Sequence, residues 1–206
     1  MGNTRDPTVC ILYAPPADGE DASATFAARA SGLLEDAGIR VSGVGPLTVP
    51  RDGGVGRPLP WTDVEGERVS VGGGGASSRL VVFLISCSAD GSVERSVRKV
   101  MRKLPKSGEA TTRGSSSACA DVSLAGAAVD DEYAVALLGH ARCENSANQM
   151  ADTIFGTGRR FEKALGTSGL FAGSPFVSRL EAQVELCGPE KEFDPWVMGL
   201  TGSMRN

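Results

Sequence analysis

The hydrophobic residues of this chain fall mainly into short continuous runs separated by longer stretches of mixed polarity. The runs at Thr8 to Tyr13, Arg79 to Ser86 and Tyr133 to Leu138 are typical of strands buried on both faces of a parallel sheet. Apolar residues at alternate positions predict another strand at Ile39 to Val44, and a fifth strand is predicted near Gly169 to Phe176. The hydrophobic pattern therefore predicts five strands spread along the chain.

Four helices are predicted in the stretches between and after these strands. They cover Ala24 to Ala37, Val93 to Leu104, about Asn148 to Leu165, and a last segment from about Pro189. In the first two, apolar residues recur at steps of three and four residues, which is the spacing of one helix face. Asp21 or Ser23 is expected to cap the start of the first helix and Gly38 its end, while Asp90 or Ser92 is expected to cap the second.

The alternation of strands and helices, with apolar sequence in the strands, indicates an open parallel sheet covered by helices on both faces. A chain of 206 residues suits one α/β domain of ordinary size. Sequence rich in glycine, serine and proline predicts flexible loops at about 45–78 and 105–129. We expect these to be loops inside a single domain that spans residues 1–206, and not linkers between domains.

The charged residues exclude some classes of function. The chain has 21 basic and 25 acidic residues, a net charge of −4, and no continuous block of either sign. Nucleic-acid binding through a basic face is therefore not expected, because the phosphate backbone requires clustered Lys and Arg. The longest apolar run, Leu80 to Ile85, is far shorter than the ~20 residues of a membrane-spanning helix. Met1 to Asp6 lacks the apolar core of a signal peptide, so we expect a soluble, cytoplasmic protein without a membrane partner.

The cysteine and histidine content argues against a metal site. No two of the five cysteines have the Cys-x-x-Cys spacing of a zinc or redox site, and we expect free thiols in a reducing compartment. His140 is the only imidazole, so a structural metal is not expected. The cysteines are Cys10, Cys87, Cys119, Cys143 and Cys187.

The stretch from Tyr133 to Trp196 has a distinctive order of features. A buried strand runs into Gly139-His140 and a polar loop, a helix containing Phe155-Gly156 follows, and the segment ends on Glu-Lys-Glu-Phe-Asp-Pro-Trp. This succession resembles the last third of the flavodoxin-like FMN domains of diflavin reductases, and it is equally similar to the FMN domain of eukaryotic wybutosine synthases. The resemblance implies a flavodoxin-like fold, a five-stranded parallel sheet in a three-layer α/β sandwich. It also implies FMN as cofactor and electron transfer as function.

In open α/β sheets, ligands bind beyond the carboxyl ends of the strands, near a topological switch point. Here those ends are the loops Ala14 to Ser23, Ser86 to Ser92 and Gly139 to Ala147. The resemblance implies that the first loop holds the flavin phosphate and that the other two flank the isoalloxazine ring. The implied flavin-binding residues are Ala17, Asp18, Gly19, Ser23, Ser86, Cys87, Ser88, Ala89, Asp90, Gly91, Gly139, His140, Ala141 and Arg142.

The loops depart from the family pattern in ways that leave two functions open. Acids occur where a phosphate would lie, Ser88 stands where the family has a stacking aromatic residue, and His140 replaces the usual Asn or Asp. The first hypothesis is an FMN-binding electron-transfer module that works with a partner reductase or acceptor. The alternative is a scaffold of the same fold that no longer binds flavin and acts in protein interaction.

Other chemistries have little support in the sequence. An enzyme of another class that uses the same cleft has only His140, Arg142 and Asp90 to offer, and we rank it last. The chain has no Gly-x-Gly-x-x-Gly after its first strand, no Walker-type Gly-Lys-Ser and no nucleophile elbow. The protein is thus expected to be at most a redox component, with no self-contained catalytic site.

Overall fold

The structure, a computed structural model, describes residues 8–17, 22–47, 79–104, 132–139, 147–168, 171, 175–184 and 189–204. The helices and strands in this part of the chain are β1 (Thr8–Ala14), α1 (Ser23–Asp36), β2 (Arg40–Pro46), β3 (Arg79–Cys87), α2 (Arg95–Lys103), β4 (Glu132–Gly139), α3 (Ala147–Thr167), β5 (Leu180–Gln183) and α4 (Pro189–Met204). The predicted loops at about 45–78 and 105–129 lie outside the described residues, except for 45–47. Residues 45 and 46 belong to β2.

The strands form one parallel sheet in the order β2-β1-β3-β4-β5. Alternate residues of β3 point to opposite faces, as strand geometry requires. Val81, Phe83 and Ile85 pack in one core cluster with α2 and α3, while Leu80 and Leu84 pack in a second cluster with α1 and α4. The predicted α/β sheet with helices on both faces, in the flavodoxin-like arrangement, is confirmed.

Helix α1 ends as predicted but begins differently. Gly38 has a φ of 75° and donates its N–H to Glu35 O at 2.8 Å, while Ile39 donates to Leu34 O at 2.9 Å. These two bonds form the Schellman motif that a glycine after the helix end permits. At the start, Ala22 is the N-cap residue and provides no side-chain cap, so Ser23 is not the cap; Asp21, the other predicted cap, lies outside the described residues.

Helix α2 is capped by a residue that the sequence pattern did not single out. The Glu94 carboxylate accepts a hydrogen bond from the backbone N–H of Ser96 at 2.5 Å. The predicted caps, Asp90 and Ser92, lie in the preceding turn, where the Asp90 carboxylate accepts from Ser92 N at 2.8 Å. The carboxylate at the helix start also complements the positive end of the helix dipole.

The fifth strand lies later in the chain than predicted. It is formed by Leu180–Gln183, which pairs with the second half of β4. In the segment predicted as a strand, near Gly169 to Phe176, the described residues 171, 175 and 176 are not part of a strand, and the others lie outside the described residues. Phe171 from that segment is buried instead in the α2/α3 face of the core, with ring contacts at 5.4 Å to Tyr133 and 6.1 Å to Phe83. Phe171 is therefore apolar because it fills the core, and its hydrophobicity is not evidence of a strand.

The Phe/Trp pair in α4 has a clear structural role. Phe193 is buried and meets the ring of Phe26 edge-on, at a centroid distance of 4.8 Å. Trp196 Nε1 donates a hydrogen bond to Ser178 O at 2.8 Å, just before β5. Arg29 of α1 adds a bidentate ion pair to Asp194, at 2.7 and 2.5 Å. These contacts fix α4 against α1 and the start of β5.

Candidate functional site

The carboxyl ends of β1, β3 and β4 lie side by side at one edge of the sheet. Ala14 is in register with Ile85, and Cys87 is in register with Gly139. Neighbouring strands are about 4.8 Å apart, so the three ends span about 10 Å. The chain leaves β1 toward β2 on one side and β3 toward β4 on the other, which makes the β1/β3 junction the switch point where open sheets bind ligands.

The first loop at this edge is only partly described. Pro15 and Pro16 follow β1, and both lack the backbone N–H that could bind a phosphate. Ala17 is exposed, whereas Ser23 is fully buried at the first position of α1. Asp18 and Gly19, which were also predicted to bind the cofactor, lie outside the described residues. The described part of this loop therefore offers few donors to an anion.

The second loop folds into a compact turn that uses most of its own backbone donors. Ser88 N donates to Ser92 O at 2.9 Å, and Gly91 N donates to Ser88 O at 2.8 Å. Ser92 N in turn donates to the Asp90 carboxylate. Gly91 has a φ of 78°, a conformation that residues with a side chain rarely adopt. Ala89 and Asp90 form the exposed tip of this turn beside the switch point.

The ionisable groups of the second loop have shifted acidities. Hydrogen bonds from the side chain and then the backbone N–H of Ser92 hold the pKa of Asp90 below its usual range. The Asp90 carboxylate is therefore ionised at neutral pH and places a negative charge at the tip. Burial raises the pKa of the Cys87 thiol to about 12, so Cys87 is an uncharged core residue and a poor nucleophile.

Two buried hydroxyl groups at the end of β3 have no hydrogen-bond partner within the described part of the chain. The Oγ atoms of Ser86 and Ser88 are inaccessible to solvent and unbonded, and the two residues are 0% and 3% exposed. Buried polar groups are almost always paired, and an unpaired one costs about 1–3 kcal/mol. A polar ligand at the switch point would relieve this cost. These serines are thus the feature of the edge that favours a polar ligand, whereas the Asp90 charge and the closed turn disfavour an anionic one.

At the third loop, Gly139 is needed for packing. A Cβ at Gly139 would approach Phe155 Cζ at 2.9 Å and Ile154 Cγ2 at 3.0 Å, so glycine lets α3 cross the end of β4 closely. Gly139 is therefore explained without a cofactor. The predicted binding residues His140, Ala141 and Arg142 lie outside the described residues.

A basic surface on α2 was missed in the sequence. Arg95, Arg98 and Arg102 are exposed and Lys99 is half-buried, so the sequence's lack of a continuous charged block hid a cluster that the helix creates. The signal that could have revealed it is the spacing of these cations at i, i+3, i+4 and i+7 from Arg95, which places them on one side of a helix.

No group of three His, Cys, Asp or Glu side chains in the described ranges is arranged to hold a metal ion. Among the described helices, none is long and apolar enough to cross a membrane.

The fold is similar to that of solved flavodoxins. A short-chain flavodoxin associated with a non-canonical PDU bacterial microcompartment superposes with a TM-score of 0.53 at 10% sequence identity, covering 96% of this chain and 98% of that one. A cysteine-to-serine mutant of the flavodoxin from Pseudomonas aeruginosa superposes with a TM-score of 0.52 at 16% identity, covering 97% and 99%. A cysteine-to-alanine mutant of the same flavodoxin gives 0.50 at 16% identity, with the same coverage. No protein-family model matches the sequence, and no curated protein is significantly similar to it.

Proposed function

We propose that the protein binds FMN at the carboxyl edge of β1, β3 and β4 and transfers electrons in company with a partner protein. The observation that carries the proposal is that the buried hydroxyls of Ser86 and Ser88, at the switch point of a flavodoxin-like sheet, have no hydrogen-bond partner among the residues that the structure describes. A ligand with many polar atoms would satisfy them, and the switch point is where open α/β sheets bind cofactors. The similarity to solved flavodoxins supports the same site.

Bound FMN would supply reversible electron uptake, and the chain's own residues would bind and orient it. Ser88 lies just beyond the end of β3 and Ser86 two positions earlier, so both hydroxyls belong to the carboxyl end of this strand. Ala89 has a small side chain at the exposed tip, which permits a flat ring to approach the backbone. The ionised Asp90 would disfavour a second negative charge beside it and so would resist reduction to an anionic flavin.

The partner would be a reductase that donates electrons or an acceptor that takes them. The order of features from Tyr133 to Trp196 supports a module of the diflavin reductase or wybutosine synthase type. In this chain, Phe193 and Trp196 from that pattern hold α4 in place, so they support the comparison through the fold and not through contact with a flavin.

A specific observation also favours a second function, a scaffold without flavin. The turn of the second loop already uses the N–H groups of Ser88, Gly91 and Ser92, and it carries the Asp90 charge at its tip. A flavin site needs donors for its phosphate and its ring, and a closed, acidic turn offers few. The same edge would then contact a protein in place of a cofactor.

Titration with FMN, followed by the quenching of flavin fluorescence, separates the two functions. Saturable binding at about micromolar FMN is expected for the flavin module. Riboflavin, which lacks the phosphate, reports whether the first loop contributes to affinity. Unchanged fluorescence of both compounds at high protein concentration would exclude the flavin module and leave the scaffold.

Serine variants locate the site. Ser88→Ala is expected to weaken FMN binding about fivefold, because one hydrogen bond of about 1 kcal/mol is lost. Ser96→Ala is the matched control, since Ser96 Oγ is also buried and unpaired but lies on α2. Equal FMN affinities for the two variants would remove Ser88 from the proposed site.

A further inference from the structure

The cations of α2 form a continuous stripe, which we call the α2 basic stripe and define as Arg95, Arg98, Lys99 and Arg102. At 3.6 residues per turn these four positions lie within an arc of about 100°, and they extend about 10 Å along the helix. Four adjacent cations without an acid between them repel one another. Such an arrangement is unfavourable for the isolated chain and becomes favourable when an external acid binds.

The stripe has little compensation within the described part of the chain. No carboxylate there makes an ion pair with its four side chains, in contrast to the arginines of α1 and α3. The nearest carboxylate influence is that of Asp90, which feels the charge of Arg98 without bonding to it. Glu94, the other nearby acid, is occupied by Ser96 N at the helix start. The stripe therefore presents net positive charge on a protein whose total charge is −4.

The apolar side of α2, opposite the stripe, is buried in the core, so α2 cannot insert it into a lipid surface. Val97 and Val100 are 0% exposed and Leu104 is 7% exposed, all within the core cluster on this face of the sheet. Helices that bind membranes bury an apolar face in the lipid, and the apolar face of α2 is already used by the fold. Nucleic acid is also disfavoured, because its binders combine a basic surface with a basic domain, whereas this chain has a pI near 5.1.

The chemistry of the stripe favours carboxylates on a protein. Three of its four members are arginines, whose planar guanidinium groups bind carboxylates in a bidentate manner. The large hydrophobic residues exposed in the described part of the chain, Val44 and Met198, lie on β2 and α4 and not on α2. A contact made by charge without an apolar centre is small, rapid and sensitive to salt, as in transient redox encounters.

We propose that the α2 basic stripe is the docking surface for an acidic patch on a partner protein. Helix α2 begins directly after the second loop, so a partner on the stripe lies beside the switch point. If the proposed flavin function holds, this partner is the electron donor or acceptor, and docking brings it near the cofactor. The stripe itself consists of residues that do not belong to the proposed flavin site, so docking and flavin binding can be measured separately.

The test uses a short fluorescent poly-L-glutamate peptide, titrated with the full chain and followed by anisotropy. Binding is expected, and raising the salt from about 50 to about 200 mM should weaken it severalfold, because screening shortens the range of the interaction. The double variant Arg98→Glu/Arg102→Glu should weaken binding at least tenfold. Circular dichroism and thermal unfolding establish that this variant remains folded.

The matched control is Arg40→Glu/Lys191→Glu, which lowers the net charge by the same amount at exposed positions on β2 and α4. It should bind the peptide within about threefold of the unchanged chain, since its substitutions lie outside the stripe. An equal loss in both double variants would show that only net charge matters and would overturn the proposal.

Other outcomes also overturn it. A DNA duplex of equal charge that binds more than tenfold tighter than the peptide would assign the stripe to nucleic acid. Retention on phosphatidylserine vesicles without peptide binding would assign it to a membrane, and absence of binding to any probe would remove its docking role. FMN binding is read from flavin fluorescence on the same preparations. Failure of the docking proposal therefore leaves the flavin result intact, and failure of the flavin proposal leaves the peptide result intact.

Discussion

Helices α2 and α3 lie on the same face of the sheet, and both carry arginines. They differ in whether these arginines form ion pairs with carboxylates of the described residues. Arg159 of α3 makes a bidentate pair with Glu181 of β5, with both distances at 2.7 Å. The α2 basic stripe has no such acid in the described part of the chain. The comparison teaches that an arginine paired with a carboxylate of the same chain stabilises the fold, whereas an arginine without such a pair can bind a carboxylate of another molecule.

The pairing on α3 extends beyond one residue. Arg179, just before β5, donates to Glu181 at 2.7 Å and also pairs with Glu162 of α3. The hydrogen bonds of Arg159, followed by the charges of both arginines, keep the pKa of Glu181 below its usual range, although burial acts in the opposite direction. The four side chains are 13–33% exposed, so these pairs are screened less than pairs on an open surface.

The largest effect on stability is expected from disrupting the close contact between α3 and β4. A Cβ at Gly158 would meet Leu137 Cδ2 at 2.6 Å, whereas a Cβ at Gly156 would meet no atom within 4 Å. Gly158→Ala should therefore lower the free energy of unfolding by about 2 kcal/mol, because the fully buried Leu137 side chain or α3 itself must shift to make room. Gly156→Ala should raise it by about 0.5–1 kcal/mol through helix propensity. Urea denaturation measures both, and similar values would contradict the close contact.

A smaller effect should separate the paired from the unpaired arginines. Glu181→Gln removes the charge shared by Arg159 and Arg179, and should lower the free energy of unfolding by about 1 kcal/mol. Arg98→Gln on α2 should change it by less than about 0.5 kcal/mol, because no ion pair in the described residues is lost. Equal losses in urea denaturation would contradict the distinction between the two helices.

The pH dependence of the same pair sharpens the comparison. The folded pKa of Glu181 is lowered from its ordinary value of 4.5, so the folded protein prefers the charged form more than the unfolded chain does. Its stabilisation is therefore present above about pH 4.5 and is lost as the pH falls through the folded pKa. The stability difference between the unchanged chain and Glu181→Gln should be constant from about pH 7 to 5 and shrink below that range. A stability difference that grows as the pH falls would contradict the lowered pKa of Glu181 in the folded protein.

The smallest effect is expected when α2 is given an acid of its own. Lys99→Glu places a carboxylate four residues after Arg95 and three before Arg102. Helical pairs at these spacings contribute about 0.2–0.5 kcal/mol each, and one repulsive cation is removed as well. Thermal unfolding should show a small gain in stability, while binding of the poly-L-glutamate peptide weakens. A gain in stability with unchanged peptide binding would separate Lys99 from the docking surface.

The central strands could be predicted from the sequence because β1, β3 and β4 are covered on both faces. Their side chains are apolar at nearly every position, and the signal is local. Strand β5 could not be predicted in the same way. It lies at the sheet edge, and Glu181 is tolerated there because it pairs with Arg179, two residues earlier, and with Arg159 of α3, which is distant in sequence.

The edge that brings the three loops together could also be predicted, since the carboxyl ends of parallel strands share one edge, where open sheets bind ligands. Its details could not. That Ser86 and Ser88 lack partners, and that Gly139 makes room for Phe155, depends on how α3 and the second loop pack around β3 and β4. The α2 basic stripe could have been predicted from the sequence, because the helical spacing that identifies the apolar side of α2 also identifies the residues on its opposite side.

The short, charged edge strand β5 has a consequence for how the protein behaves at high concentration. An edge strand exposes backbone groups on which another chain can build, and aggregation by sheet extension starts from such groups. Strand β5 has only four residues, and Glu181 within it is held by Arg159 and Arg179. A foreign strand that paired here would have to disturb these charges for a gain of few hydrogen bonds. This end of the sheet is thus protected against the first step of fibre growth.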